Sequence, residues 1–171
     1  MLVTYIQNLL YLYFTGINMF IQKEYDENDA RAKRKVRELF SMHKVYKDFI
    51  LTDPSNKYSV DFYVSKNGNH IANVEVEVKK SWKRMNFIYD DIQILPRKKK
   101  MWFDESINLG KPTMFIMFNA DLTNHLVIKS ATMVDIYTRC DTRHYGTEKT
   151  RNDEFYIANK NDVEFGFFYK E

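Results

Sequence analysis

Four side chains in the middle of the chain are of the types that phosphate and metal chemistry uses: Asp61, Glu75, Glu77 and Lys79. Two or three carboxylates beside a lysine form a hard-cation site, and all-oxygen ligation suits Mg²⁺ or Mn²⁺. Such a site works only if the side chains meet, so the local pattern around them decides whether that chemistry is available.

Tyr58, Val60, Phe62 and Val64 alternate with polar residues, and so do Ala72, Val74, Val76 and Val78. Period-two alternation on either side of Asn67-Gly68 is the signature of a β-hairpin with one apolar and one polar face. Every apolar position is even-numbered. Cross-strand partners share a face, so paired residue numbers must add to an even number. That requires an odd number of loop residues, or a bulge, around 66–69, and we expect a loop of three or five residues. Asp61, Glu75, Glu77 and Lys79 then share the other face. A three-residue loop would set Asp61 opposite Glu75, with Glu77 roughly 7 Å further along the strand. The same pattern describes any half-exposed hairpin, whose charged face needs no function.

Asp61, fifteen intervening residues and then Glu77-Val78-Lys79 is a spacing that resembles the PD-(D/E)xK nuclease superfamily. Asp61 matches the first acid and Glu77-Val78-Lys79 the E-x-K element, on adjacent strands; Val60 stands where proline often precedes the acid. The upstream helix and the following elements resemble that family's α-β-β-β-α-β core over residues 26–137. The resemblance implies an α/β (α+β) fold, with a mixed central sheet flanked by helices in a restriction-endonuclease-like core. It implies hydrolysis of phosphodiester bonds with Mg²⁺ or Mn²⁺. Asp61, Glu77 and the Val78 carbonyl would bind the metal, with Glu75 as a competing acid. The metal would lower the pKa of a bound water and polarise the scissile phosphate. Lys79 would orient that water or stabilise charge on the phosphoryl oxygens. Some branches of the family add a helix acid, for which Glu24, Asp26, Asp29 and Glu38 are candidates, and Gln93 on the next strand is placed to touch the site.

The basic residues are unevenly distributed. The net charge is only +3, yet five of the seven residues from Arg31 to Arg37 are basic, and 79–100 holds eight basic residues against two acidic. Lys80, Lys83, Arg84, Arg97, Lys98, Lys99 and Lys100 form the candidate nucleic-acid contact, through phosphates and without base reading. Trp82 and Trp102 offer stacking surfaces, although core packing is the ordinary use of tryptophan. His43, His70, His125 and His144 show no paired metal spacing, and Cys140 alone rules out a disulfide framework. Phosphate-loop, dinucleotide-loop and serine-hydrolase motifs are absent from the sequence.

These residues need a scaffold, and 171 residues at 44% hydrophobic suffice for one packed domain. Residues 1–22 carry no charge and read as an amphipathic helical appendage. Its polar stripe of Thr4, Asn8, Tyr11, Thr15, Asn18 and Gln22 argues against a membrane span. Residues 23–171 form the domain. A helix over 26–47, capped by Asp26 or Asn28, buries Val36, Leu39, Phe40 and His43. After the hairpin we expect a strand over 90–95 and a short helix near Trp102. A strand buried on both faces over 113–118, a neighbour over 126–129 and a helix over 131–137 follow. The polar stretch 140–153 reads as loop, with late strands at 155–158 and 164–168.

The resulting expectation is a metal-dependent nuclease. Its partner is nucleic acid, with DNA ahead of RNA, and the chain is expected in the cytoplasm. Residues 1–22 offer a homodimer interface. Lys exceeds Arg by 18 to 8, a bias matching AT-rich codons, as in a virus or phage. The rival expectations are a catalytically inactive nucleic-acid- or protein-binding module of the same fold and a membrane-associated structural protein.

Overall fold

Ala32, Val36 and Phe40 recur every fourth residue and are all but fully buried, and this stripe docks helix α1 (26–42) onto a β-sheet. The computed structural model describes residues 26–55, 60–83, 86–94, 110–129, 137–145 and 149–167. Asp26 and Asn28 are both already helical, so neither takes the expected capping position. The helix stops at 42 rather than 47, and His43 is exposed. The Ser41 hydroxyl donates to the Glu38 carbonyl at 2.8 Å, a local bond that competes with the helix. Tyr46 then supplies the apolar surface assigned to His43, stacking on Phe40 and packing against Phe49.

The first sheet has the order β1-β2-β3-β5-β6-β9. Its strands are β1 (Ile50–Thr52), β2 (Phe62–Lys66), β3 (Asn69–Lys79), β5 (Thr113–Asn119), β6 (Asn124–Lys129) and β9 (Glu164–Phe167). All neighbours are antiparallel except β3 and β5, which run parallel from Asn73↔Thr113 to Lys79↔Asn119. A parallel pair requires a crossover, and residues 80–112 make it. A helix, a three-strand meander and a crossover to a strand parallel with the third give a mixed α+β core, the fold class expected from the sequence. β4 (Asp91–Ile94) leaves this sheet and joins β8 (Lys149–Asn159) and β7 (Tyr137–Tyr145) in a second, antiparallel one, ordered β4-β8-β7.

The β2–β3 turn corrects the expected loop. Asn67 and Gly68 both have positive φ, 52° and 78°, which is the two-residue hairpin geometry that Asn-Gly favours. Such a turn alone would put the apolar faces on opposite sides. The register shifts between Val64 and Ser65, leaving Ile71 as the extra residue, so Val64 meets Ala72 and Phe62 meets Val74. The bulge, not a longer loop, satisfies the parity. A second phase change occurs at Asp61. Phe62 and Val64 face α1, but Val60 packs in the opposite core with Trp82, Phe115 and Met117. The strand therefore does not extend through 58–65, and 56–59 lie outside the described residues.

Two cores result. Val74, Val76, Ile116 and Phe118 pack against α1. Phe115, Met117, Leu126 and Ile128 pack against Ile92, Ile94 and Ala158 of the second sheet. The odd-numbered face of β3 is thus roofed rather than open, and Asn73 and Glu75 are buried in it. Two further corrections follow. Residues 140–153, read as loop, belong largely to the β7–β8 hairpin, registered from Tyr137↔Ile157 to Tyr145↔Lys149. Tyr137, read as a helix end, opens β7. The rest of that expected helix, the helix near Trp102, and residues 1–22 lie outside the described residues.

His125 on β6 faces Gly166 on β9, and an added Cβ at Gly166 would lie 2.4 Å from the imidazole ring. Gly166→Ala should therefore destabilise the protein by about 1–3 kcal/mol, read in urea denaturation. Burial lowers the His125 pKa from 6.5 to about 4. The unfolded chain takes up this proton before the folded one does. The resulting stability is intact above pH 6.5 and is lost as the pH falls towards 4. Between pH 7 and pH 5 the wild type should lose about 2 kcal/mol more than a His125→Asn variant, measured by urea titration at each pH.

Candidate functional site

Strand β3 is the central element of the site because it pairs on both edges. Parallel pairing sets Glu75 beside Phe115, Glu77 beside Met117 and Lys79 beside Asn119. Phe115 and Met117 belong to the core between the sheets, so Glu75 and Glu77 project to that side. Burial decreases along the strand: Glu75 is 5% exposed, while Glu77, Val78 and Lys79 are half-buried. The Lys79 ammonium lies 4.6 Å from the centre of the Tyr89 ring, a cation–π contact that steadies a long side chain. The strand end is tied down as well. The Trp82 amide donates to the Lys79 carbonyl at 2.9 Å, and the Ala120 amide donates to the Trp82 carbonyl at 2.8 Å.

Asp61 does not lie on the strand face with the glutamates. It sits at the bend just before β2, one position before the Phe62↔Val74 pair. Its carboxylate turns to the sheet edge. Oδ2 accepts from the Val76 backbone amide at 2.8 Å, continuing the ladder where the β2 backbone no longer does. Oδ1 accepts from Lys33 Nζ of α1 at 2.8 Å. Lys33 also reaches Asp29, one helical turn earlier, at 3.1 Å. A single ammonium therefore sits between two carboxylates, one on the helix and one at the sheet edge. Burial pulls the Lys33 pKa down, but the hydrogen bonds and charges of Asp61 and Asp29 outweigh it and hold it above the ordinary lysine value. On the alkaline side, the stabilisation from this pairing is fully present below the unfolded lysine value of 10.5 while its carboxylates are ionised, and it fades as the pH rises through the higher folded value.

The remaining sequence candidates are dispersed. Gln93 is corrected outright: β4 belongs to the second sheet, and Ile92 and Ile94 face the core between the sheets, so Gln93 points the other way. Lys80 and Lys83 are exposed at the start of the crossover. Arg84, Arg97, Lys98, Lys99, Lys100 and Trp102 lie outside the described residues. Trp82 is core, 1% exposed, with its ring edge-on to Phe87. Lys33 is the residue that sequence reading counted only as part of a basic helix. The Asp29–Lys33 spacing marks half of its environment, but nothing local marks its pairing with Asp61.

The donor set is compatible with a hard cation in a restricted sense. Among the described residues, no three His, Cys, Asp or Glu side chains converge closely enough to hold a metal ion. Asp29 and Asp61 nevertheless already straddle one positive charge. Mg²⁺ ordinarily takes one or two carboxylates and completes its shell with water and substrate phosphate.

No protein-family model matches this chain, and no curated protein matches it. Among solved structures, the Holliday junction resolvase Hjc of the archaeal hyperthermophile Archaeoglobus fulgidus superposes with a TM-score of 0.43 at 10% sequence identity. The match covers 77% of this chain and 85% of that one.

Removing the Asp61 carboxylate deprives both the Val76 amide and the Lys33 ammonium of a partner. Asp61→Ala should cost about 2 kcal/mol in denaturant unfolding, and Asp61→Asn, which keeps an oxygen for Val76, should cost less.

Proposed function

We propose that this chain hydrolyses phosphodiester bonds of nucleic acid, DNA ahead of RNA, with Mg²⁺ or Mn²⁺. One observation carries the reading: the Asp61 carboxylate is hydrogen-bonded to the amide of Val76, the residue directly before Glu77-Val78-Lys79. That bond holds the first acid of the resemblance beside the strand one residue before its E-x-K element. Asp61, Glu77 and the Val78 carbonyl are the groups that would hold the ion. Glu77 is a better ligand than Glu75 because it lies nearer the open end of the strand, whereas Glu75 is buried. When bound, the ion would polarise the phosphate and acidify a water. Lys79 would place a compact positive charge on the phosphoryl oxygens. Lys80 and Lys83, with Arg84 and Arg97–Lys100 further along the crossover, would neutralise flanking phosphates and make binding salt-dependent.

A second reading, a binding module without catalysis, is favoured by Lys33. Its ammonium already neutralises Asp61, one of the carboxylates that a metal would need.

Cleavage of single-stranded, double-stranded and branched DNA and of RNA, in Mg²⁺ and Mn²⁺, separates the two. Glu77→Gln and Lys79→Ala should each lower the rate at least roughly a hundredfold with folding intact. Activity that is unchanged in both variants would remove the site. Salt-sensitive binding without cleavage would favour the binding module.

A further inference from the structure

The register of the first sheet sets Glu77 beside Met117, Met117 opposite Leu126, and Leu126 opposite Phe165. Residues paired in this way share a face. Phe165 therefore stands on the same side of the sheet as the glutamates of β3, three strand spacings or roughly 14 Å from Glu77. A chain of aromatic rings links the two places. The Lys79 ammonium lies 4.6 Å from the centre of the Tyr89 ring. Tyr89 meets Phe87 at 5.1 Å, and Phe87 meets Phe165 at 5.9 Å. The buried Trp82 anchors the row, edge-on to both Phe87 and Phe165. Phe87 and Tyr89 are half-buried, but Phe165 remains 40% exposed and Ile88, between them in sequence, 69% exposed. Exposed rings at the edge of a core mark a contact surface. Its charge is complementary to phosphate: Lys79, Lys80 and Lys83 lie beside the row, while the nearby acids Asp90 and Glu164 are each paired with a lysine, Lys160 and Lys129.

Resting on the nucleic-acid reading above, we propose that Phe165, backed by Phe87 and Tyr89, is a stacking platform for an unpaired base. The substrate is then a single strand, or a duplex carrying unpaired nucleotides next to the E-x-K segment. Inside an intact duplex each base is stacked on its neighbours and has no face to offer a side chain. An unpaired nucleotide can lay one face on an aromatic ring while its phosphates follow the lysines. Every base has such a face, so the platform selects for strand state and not for sequence. The lysines alone would accept any phosphate backbone; the exposed rings are what add the discrimination.

The test is binding to the full chain by fluorescence anisotropy, without divalent ions and again with Ca²⁺, a hard cation that oxygen ligands accept. The probes are a labelled oligothymidylate strand, a blunt duplex and the same duplex with an unpaired tail. The wild type should prefer the strand and the tailed duplex. Phe165→Ala should weaken binding of both roughly tenfold and leave the blunt duplex unchanged. Its salt dependence should match the wild type, because no cation is removed. Phe165→Trp should keep the affinity, and its added indole fluorescence should be quenched by the strand. Unchanged strand binding by a folded Phe165→Ala, or an equal loss for strand and blunt duplex, would overturn the proposal. So would a wild-type dimer that Phe165→Ala dissociates without affecting strand binding, which would assign the rings to a second copy. If Glu77→Gln still loses cleavage in those cases, the nuclease reading survives. A strand preference that depends on Phe165 without any cleavage would uphold the platform and remove the nuclease reading. No nucleic-acid binding by any form would overturn both.

Discussion

Strand β3 is hydrogen-bonded on both edges and covered on both faces, and the rest of the molecule is arranged around that constraint. Its even-numbered valines face α1, and its odd-numbered residues face the second sheet. A strand so enclosed has no tolerance for a slip of one residue, because every side chain would exchange faces. The bulge at Ile71 is the adjustment that lets a two-residue turn coexist with this requirement. The parallel pairing with β5 imposes the long crossover, and β4 within that crossover joins the second sheet rather than the first.

The polar side of the same strand is where stability and chemistry compete. Asp61 stands just before β2, and its carboxylate replaces the missing backbone acceptor for Val76. Lys33 adds the charge that makes burying this carboxylate tolerable. Asp61 thus has a complete structural explanation, and the same contacts bring it next to the Glu77-Val78-Lys79 segment. A carboxylate held by a backbone amide and a counter-cation is fixed in place without being free.

Much of the scaffold was readable because its periods are local. The alternation over 72–79, the Asn-Gly turn and the apolar run 113–118 each specify a strand through residues that are neighbours in sequence. The β7–β8 hairpin was missed because its strands are rich in Arg, Asp, Asn and Thr and carry no apolar stripe over 140–153. Its pairing is a property of two segments together. The helix end at 42 was missed because Tyr46, not His43, completes the packed surface, and that choice depends on where Phe40 and Phe49 lie in space.

By itself, the sequence determined that a hairpin exists and that the apolar residues of its two strands must share one face. Side-chain alternation and cross-strand pairing require that match wherever the valines are buried. Tertiary structure decided what covers the charged face, that Gln93 turns away from it, and that Lys33 bridges Asp29 and Asp61. These are contacts between elements distant in the chain. They are set by how α1 and the second sheet pack on the two faces of β3, and no local periodicity encodes that packing.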